Sequence, residues 1–266
     1  MGGLPEPRDA ATALVTGASA GIGAEIAREL ARRGHGVTLV ARRLERLEAL
    51  AAELTEEHGV RAEALPCDLI DPAARAELPD RVAALGLDVD VLVNNAGFGT
   101  SGSFHRSDVD REVQQVRILV EAVADLTGRF VPAMVERRSG AILNVASTAG
   151  YAPLPRMAGY GAAKAWARSF THAIHQELKP HGIAVTALCP GPVATEFFDV
   201  AGPTPIENVV PKPAWVDAEH CARVGVDGLA RNRVEVVPGR AMQAIVAAGR
   251  ITPQELRGPL FRRFFR

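Results

Sequence analysis

Residues 12–43 read TALVTGASAGIGAEIARELARRGHGVTLVARR, and the order of patterns in this stretch decides the fold. Thr12 to Thr16 is a short apolar run suited to a strand, and Ala20 to Arg33 carries Ile22, Ile26 and Leu30 on one helical face. Gly34-His35-Gly36 stops that helix, and Val37 to Ala41 is a second strand. Strand, helix and strand in about thirty residues make a βαβ unit, whose strands run parallel. Gly17, Gly21 and Gly23 fall between the first strand and the helix, where free backbone amides and the helix dipole receive a phosphate. A missing Cβ there lets the backbone turn sharply and approach a ligand. The spacing G-x-x-x-G-x-G is a variant of the dinucleotide-binding fingerprint, and Ser19, Ala20 and Ile22 join the glycines as candidate cofactor contacts. The plainer alternative is a glycine turn that only packs helix on strand.

Outward from this unit the alternation continues. Arg43 to His58, Asp71 to Leu85, Asp108 to Arg138 and Tyr160 to His181 read as helical, and Arg61 to Leu65, Val89 to Val93, Ala141 to Ala146, Ile183 to Leu188 and Val234 to Val237 as strands. The strands are continuously apolar, as strands buried on both faces are. The expected fold is a doubly wound α/β domain: a mostly parallel seven-stranded sheet with helices on both faces. No linker or repeat divides residues 1–266, so one domain is expected. Proline-rich sequence runs from Pro190 to Pro213, and residues 194–215 read as a substrate lid. Residues 250–266 form a tail in which Phe261, Phe264 and Phe265 alternate with arginines.

Composition narrows the function classes. With 47% hydrophobic residues the chain can bury a core, and a formal charge of −1 provides no global field for nucleic acid or an anionic membrane. The three cysteines form no C-x-x-C pair and the histidines no H-E-x-x-H, so neither a disulfide framework nor a metal site is expected. Glu6, Arg8 and Asp9 precede the first apolar run, no apolar stretch is long enough to span a bilayer, and Glu6 stands where a myristoylation motif wants Ser or Thr. A soluble cytoplasmic protein is expected.

Three further groups carry chemistry. At the end of the second strand, where a dinucleotide ribose would lie, the chain has Arg42 and Arg43 and no carboxylate. Arginine attracts a 2′-phosphate where a carboxylate would repel it, so NADP is expected over NAD, with Arg42 ahead of Arg43. Asn94-Asn95-Ala96-Gly97 ends the fourth strand on the edge where such sheets bind ligands. Ser147 follows the fifth strand, Tyr160 comes thirteen residues later and Lys164 four after that, so Tyr160 and Lys164 share one helical face. A free tyrosine titrates near ~10, and a neighbouring ammonium should lower it toward useful proton transfer. Ser147 would polarise a carbonyl. Asn144 would pin the backbone.

With these motifs in this order the chain resembles the short-chain dehydrogenase/reductase family, in its single-domain, Rossmann-like branch, over about residues 10–240. The resemblance rests on Thr16 to Gly23, Asp68, Asn94 to Gly97, Ser147, Tyr160, Lys164 and Pro190 to Thr195. It implies that Asp68 and Leu69 contact the adenine, Asn95, Ala96 and Gly97 the adenosine side, and Pro190, Val193 and Thr195 the nicotinamide. It implies further that Tyr160 and Lys164 touch the cofactor, that Ser147 and Tyr160 touch the substrate, and that Tyr160 is the general acid in carbonyl reduction.

One position departs from the family pattern. Where many members carry an Asn that bends a helix and holds a relay water, this chain has Leu119, whose side chain forms no hydrogen bond. Gln114 and Gln115 are the nearby substitutes, although helical spacing argues against both. Two readings follow: an NADP(H)-dependent oxidoreductase acting on a carbonyl or secondary alcohol, or a catalytically impaired NADP-binding or interaction protein on the same fold. For the enzyme, Phe197 and Phe198, with Val200, Ile206, Val209, Val210, Trp215, Leu154, Pro155 and Met157, suggest an apolar pocket for a hydrophobic ketone or 3-oxoacyl group. The remaining partner expectations are a homo-dimer or homo-tetramer and no nucleic acid, with membrane contact by the tail as the minor reading.

Overall fold

Each apolar run is followed by a helix long enough to return the chain across the sheet, and this makes every strand pairing parallel. In the computed structural model the described residues are 3–202, 210 and 212–251. The strands are β1 (Ala11–Thr16), β2 (Val37–Ala41), β3 (Ala62–Pro66), β4 (Asp88–Asn94), β5 (Gly140–Val145), β6 (Ile183–Leu188) and β7 (Glu235–Val236). The helices are α1 (Gly21–Arg32), α2 (Leu44–His58), α3 (Pro72–Ala84), α4 (Val109–Val116), α5 (Ala122–Arg137), α6 (Ala158–Leu178), α7 (Phe197–Ala201), α8 (Ala218–Ala230) and α9 (Arg240–Ile251).

The strand order is β3-β2-β1-β4-β5-β6-β7. It reverses direction between β1 and β4, and a doubly wound sheet opens its ligand crevice at the carboxyl ends flanking such a reversal. Alternation along the strands divides the core in two. Val15, Val93 and Leu143 pack under α1, α2 and α8 through Ile26, Leu30, Leu47, Val226 and Leu229. Leu14, Leu92 and Ile142 face the other way, against Leu78 of α3, Leu126 and Phe130 of α5 and Leu178 of α6. Burying large aliphatic side chains stabilises by about 1.5–3 kcal/mol each, so the two faces together hold the sheet.

The structure alters several boundaries. The expected helix from Asp108 to Arg138 is three pieces, with a π-helical turn at Arg117–Glu121 between α4 and α5. The seventh strand is two residues long, and the helix beginning near Tyr160 ends at Leu178, followed by a 3-10 turn to His181. Helices α7, α8 and α9 were not foreseen. The tail at 252–266 and Ile206 and Val209 of the expected lid lie outside the described residues.

Arg75 of α3 shows how the helices on one face are tied. Its side chain is 2% exposed, and it donates to the Leu69 carbonyl at 2.6 Å, to Asp125 at 3.0 Å and to Glu121 of the π-turn. One buried guanidinium thus fixes α3 to α5 and to the turn after β3.

Candidate active site

The carboxyl ends of the strands open into a cavity of about 820 Å³. All the site residues expected from the sequence line it except Gly23. A Cβ on Gly23 would overlap Asn95 Nδ2 and the Gly17 carbonyl, so this glycine lets the first turn of α1 pack behind the cavity wall and does not face a ligand. Gly17 (φ +67°) and Gly21 (φ +56°) do face it, in a conformation that favours glycine. A Cβ on Gly17 would lie 2.8 Å from Ala96 Cα, and one on Gly21 3.1 Å from Thr195 Cγ2.

Two polar side chains brace this turn. Thr16 Oγ1 donates to the Val93 carbonyl at 3.0 Å and accepts from the amides of Asn95 at 2.9 Å and Ala96 at 3.1 Å. Asn95 Nδ2 donates back to the Thr16 carbonyl at 2.9 Å. Asn95 therefore shapes the cradle while lining it. Asp68 accepts from the Ile70 amide at 3.0 Å, which folds the turn after β3 against the same wall.

Arg42 and Arg43 both reach the cavity, but Arg43 is the one held in place. It donates to Ser19 Oγ at 3.0 Å and to Glu196 at 2.9 Å. Both arginines named from the sequence thus stand at the cavity, and the one fixed to the glycine turn is Arg43.

Farther along the cleft, α6 begins at Ala158 and turns Tyr160 and Lys164 inward together. Burial pushes the Tyr160 phenol up to about 12, with a Ser147 hydrogen bond acting in the opposite direction. Burial pulls Lys164 down to about 8, with the charge of Cys189 acting the other way. Lys164 Nζ donates to the Val145 carbonyl at 2.6 Å and lies 5.8 Å from the centroid of the Tyr160 ring. The lysine was expected to lower the tyrosine. Burial dominates instead, and it leaves a neutral phenol suited to giving a proton. Ser147 accepts from the Ala149 amide at 3.1 Å, which orients its hydroxyl at the end of β5.

Leu119, in the π-turn, is buried with Met157, Tyr160 and Ala163. A Cβ on Gly97 would overlap its Cδ2, so leucine plugs the space between the Asn94–Gly97 turn and the tyrosine. Gln115 does not substitute for the missing asparagine: it is buried and accepts from the Thr100 amide at 2.9 Å. Asn144 was expected to pin the backbone, but its side chain joins other side chains instead, accepting from Asn94 at 2.8 Å and donating to Thr171 of α6 at 2.9 Å.

The other arm of the cavity is apolar. Phe197 lies 5.2 Å from the Tyr160 ring, Phe198 is edge-on to Phe197, and Trp215 follows at 5.4 Å from Phe198. Leu154 and Val210 line the arm, whereas Met157 is buried with Tyr160 and, like Pro155 and Trp215, is not part of the lining; Trp215 backs Phe198 instead. Sequence reading missed a wall: Met242, Ile245, Val246 and Gly249 of α9 line the cavity. Their spacing of three, four and seven is a helical stripe, and that periodicity was the available signal. Among the described residues, no group of three or more His, Cys, Asp or Glu could hold a metal ion, and no helix is long and apolar enough to cross a membrane.

Comparison with known proteins adds four observations. A family model described as short chain dehydrogenase matches residues 11–204. Among curated proteins, a very-long-chain 3-oxoacyl-CoA reductase of Anas platyrhynchos is 38% identical over 73% of this chain, and the match spans 63% of that relative. Among solved structures, a short-chain dehydrogenase from Sphingobium yanoikuyae in complex with NADPH superposes with a TM-score of 0.79 at 35% identity, covering 93% of this chain and 95% of that one. A bulky-bulky ketone specific alcohol dehydrogenase from Comamonas testosteroni superposes with a TM-score of 0.75 at 29% identity, covering 93% and 96%.

Proposed function

The chain belongs to the short-chain dehydrogenase family, and from that premise we propose that it is an NADPH-dependent reductase of a ketone or 3-oxoacyl group carried on a hydrophobic molecule. The observation that carries the reading is a neutral, buried phenol at the junction of two unlike arms of one cleft. One arm offers a glycine cradle and arginines, the other an aromatic and aliphatic wall.

The residues fit a dinucleotide because side chains are excluded at Gly17 and Gly21, where a phosphate needs the backbone amides. Arg43, with Arg42 beside it, would hold a 2′-phosphate, and Lys164 would donate to a ribose hydroxyl. When bound, the reduced nicotinamide supplies the hydride that the carbonyl carbon accepts. Tyr160 gives its proton to the carbonyl oxygen, and the Ser147 hydroxyl steadies the charge developing on that oxygen. The Lys164 ammonium favours the phenolate left behind, which lowers the cost of the transfer. Phe197 excludes water from the phenol and offers a ring face to an apolar substrate.

The names of the relatives support the substrate class: one acts on 3-oxoacyl-CoA, and another is specific for ketones bulky on both sides. The test follows NADPH oxidation with a panel of ketones and 3-oxoacyl thioesters. Turnover should favour the hydrophobic members, and Tyr160→Phe should lose about 10²–10⁴-fold in kcat while still binding NADPH. Indifference to Tyr160→Phe would leave a binding protein on this fold.

A further inference from the structure

A carboxylate stands where the cofactor site expects only cations. Glu196 lies between Thr195, packed against the Gly21 turn, and Phe197, packed against Tyr160. Both its oxygens are engaged from α2 and the residue before it: Oε2 accepts from Arg43 Nη1 at 2.9 Å and Oε1 from Arg46 Nη1 at 2.6 Å. Arg43 also donates from Nε and Nη2 to Ser19 Oγ, at 3.2 and 3.0 Å. The guanidinium that would receive a 2′-phosphate is therefore already shared between the glycine turn and an acid.

We propose that Glu196 is an internal competitor of the 2′-phosphate, occupying Arg43 and Arg46 until a phosphate displaces it, and so sets how strongly the site prefers a 2′-phosphorylated dinucleotide. This rests on Arg43 belonging to the 2′-phosphate site. Charge makes the exchange feasible. Two arginines and one glutamate sum to +1, whereas without the glutamate Arg43, which lines the cleft, and Arg46, which is outside its lining, sum to +2 near a phosphate carrying about −1.5 to −2. The pairs are also breakable, since the three side chains are 43%, 49% and 47% exposed, and ion pairs in water are weak and screened by salt. A phosphate accepting bidentate hydrogen bonds from arginine outcompetes a carboxylate of lower charge. What remains is a tax on 2′-phosphate binding that a ligand without that phosphate does not bear.

The experiment uses two probes differing only in that group, adenosine 2′,5′-bisphosphate and adenosine 5′-phosphate. Calorimetry gives their Kd values for the wild-type chain, Glu196→Gln, Arg43→Ala and the double variant. Glu196→Gln should tighten the bisphosphate about 3- to 10-fold, leave the monophosphate within twofold, and lose most of this gain in 0.5 M salt or with Arg43→Ala. Equal changes for both probes, or a weaker bisphosphate, would overturn the proposal. If Arg43→Ala abolishes a clear preference for the bisphosphate yet Glu196→Gln does not strengthen it, the competition fails and the 2′-phosphate site stands. If wild-type binds both probes equally and Arg43→Ala changes neither, the site fails and the competition with it.

Discussion

Lys164 is the residue whose titration should be visible in the reaction. Its folded value of about 8 lies below the usual 10.5, while Tyr160 at about 12 stays protonated throughout the neutral range. Carbonyl reduction should therefore hold steady below pH 8 and decline as the pH rises through about 8, where the ammonium that favours the phenolate is lost. Profiles of kcat/KM between pH 6 and 10 check this, and Lys164→Met should abolish that descending limb as well as most of the rate. The same burial carries a stability cost. The folded state binds the lysine proton less readily than the unfolded chain, so the penalty is full below pH 8 and is relieved as the pH rises from about 8 toward 10.5. Lys164→Met should accordingly stabilise the fold at pH 7, by about 1–3 kcal/mol, the sign expected of a site that trades stability for function. A lower Tm for that variant would show that the bond to the Val145 carbonyl outweighs desolvation. Ser147, Tyr160 and Lys164 could be read from the sequence because two of them must share a helix face and the third must end a strand. The tether of Arg43 could not, since it depends on Ser19 and on Glu196, more than 150 residues away.

At the scale of elements, the π-turn at Arg117–Glu121 determines what stands beside the tyrosine. No proline or glycine marks it in the sequence, and the helical pattern runs through it unbroken. Its causes are tertiary: Arg75 draws Glu121 toward α3, and Leu119 fills the space against Gly97. The same reason hid α9, whose stripe only becomes a wall once Met242 meets Gly191 across the cleft. Strands β2 and β6, by contrast, have the boundaries expected from the sequence, because glycine stops before each of them leave one possible start. Leu119→Asn tests the π-turn directly. Exchanging a buried leucine for an amide should lower stability by about 2–4 kcal/mol, through lost burial and a desolvated polar group. If proton supply to Lys164 limits the reaction, turnover at a temperature where the variant is folded should rise. Unchanged kcat with the expected fall in Tm would show that proton supply is not limiting.

The whole molecule is a sheet whose two halves meet at the cleft. β1 and β2 bring the glycine turn and Arg43, β5 and β6 bring Ser147 and Thr195, and α6 and α9 close the far side. A bound dinucleotide must touch both halves, so its binding energy should appear as cooperative stability of the entire fold and not of one lobe. Ligand that binds only the folded state stabilises by RT ln(1 + [L]/Kd), about 2.7 kcal/mol at 100 times Kd. For a chain of this length that should raise Tm by roughly 5–10 °C. NADPH should produce this shift as a single sharpened transition, and NADH at the same concentration a smaller one, if the 2′-phosphate of the former is held by Arg43 as proposed. A thermal scan with each cofactor decides the matter. Equal shifts would remove the arginine from cofactor choice, and a shift confined to one of two separating transitions would show that the halves of the sheet unfold independently and that the cleft is not their shared element.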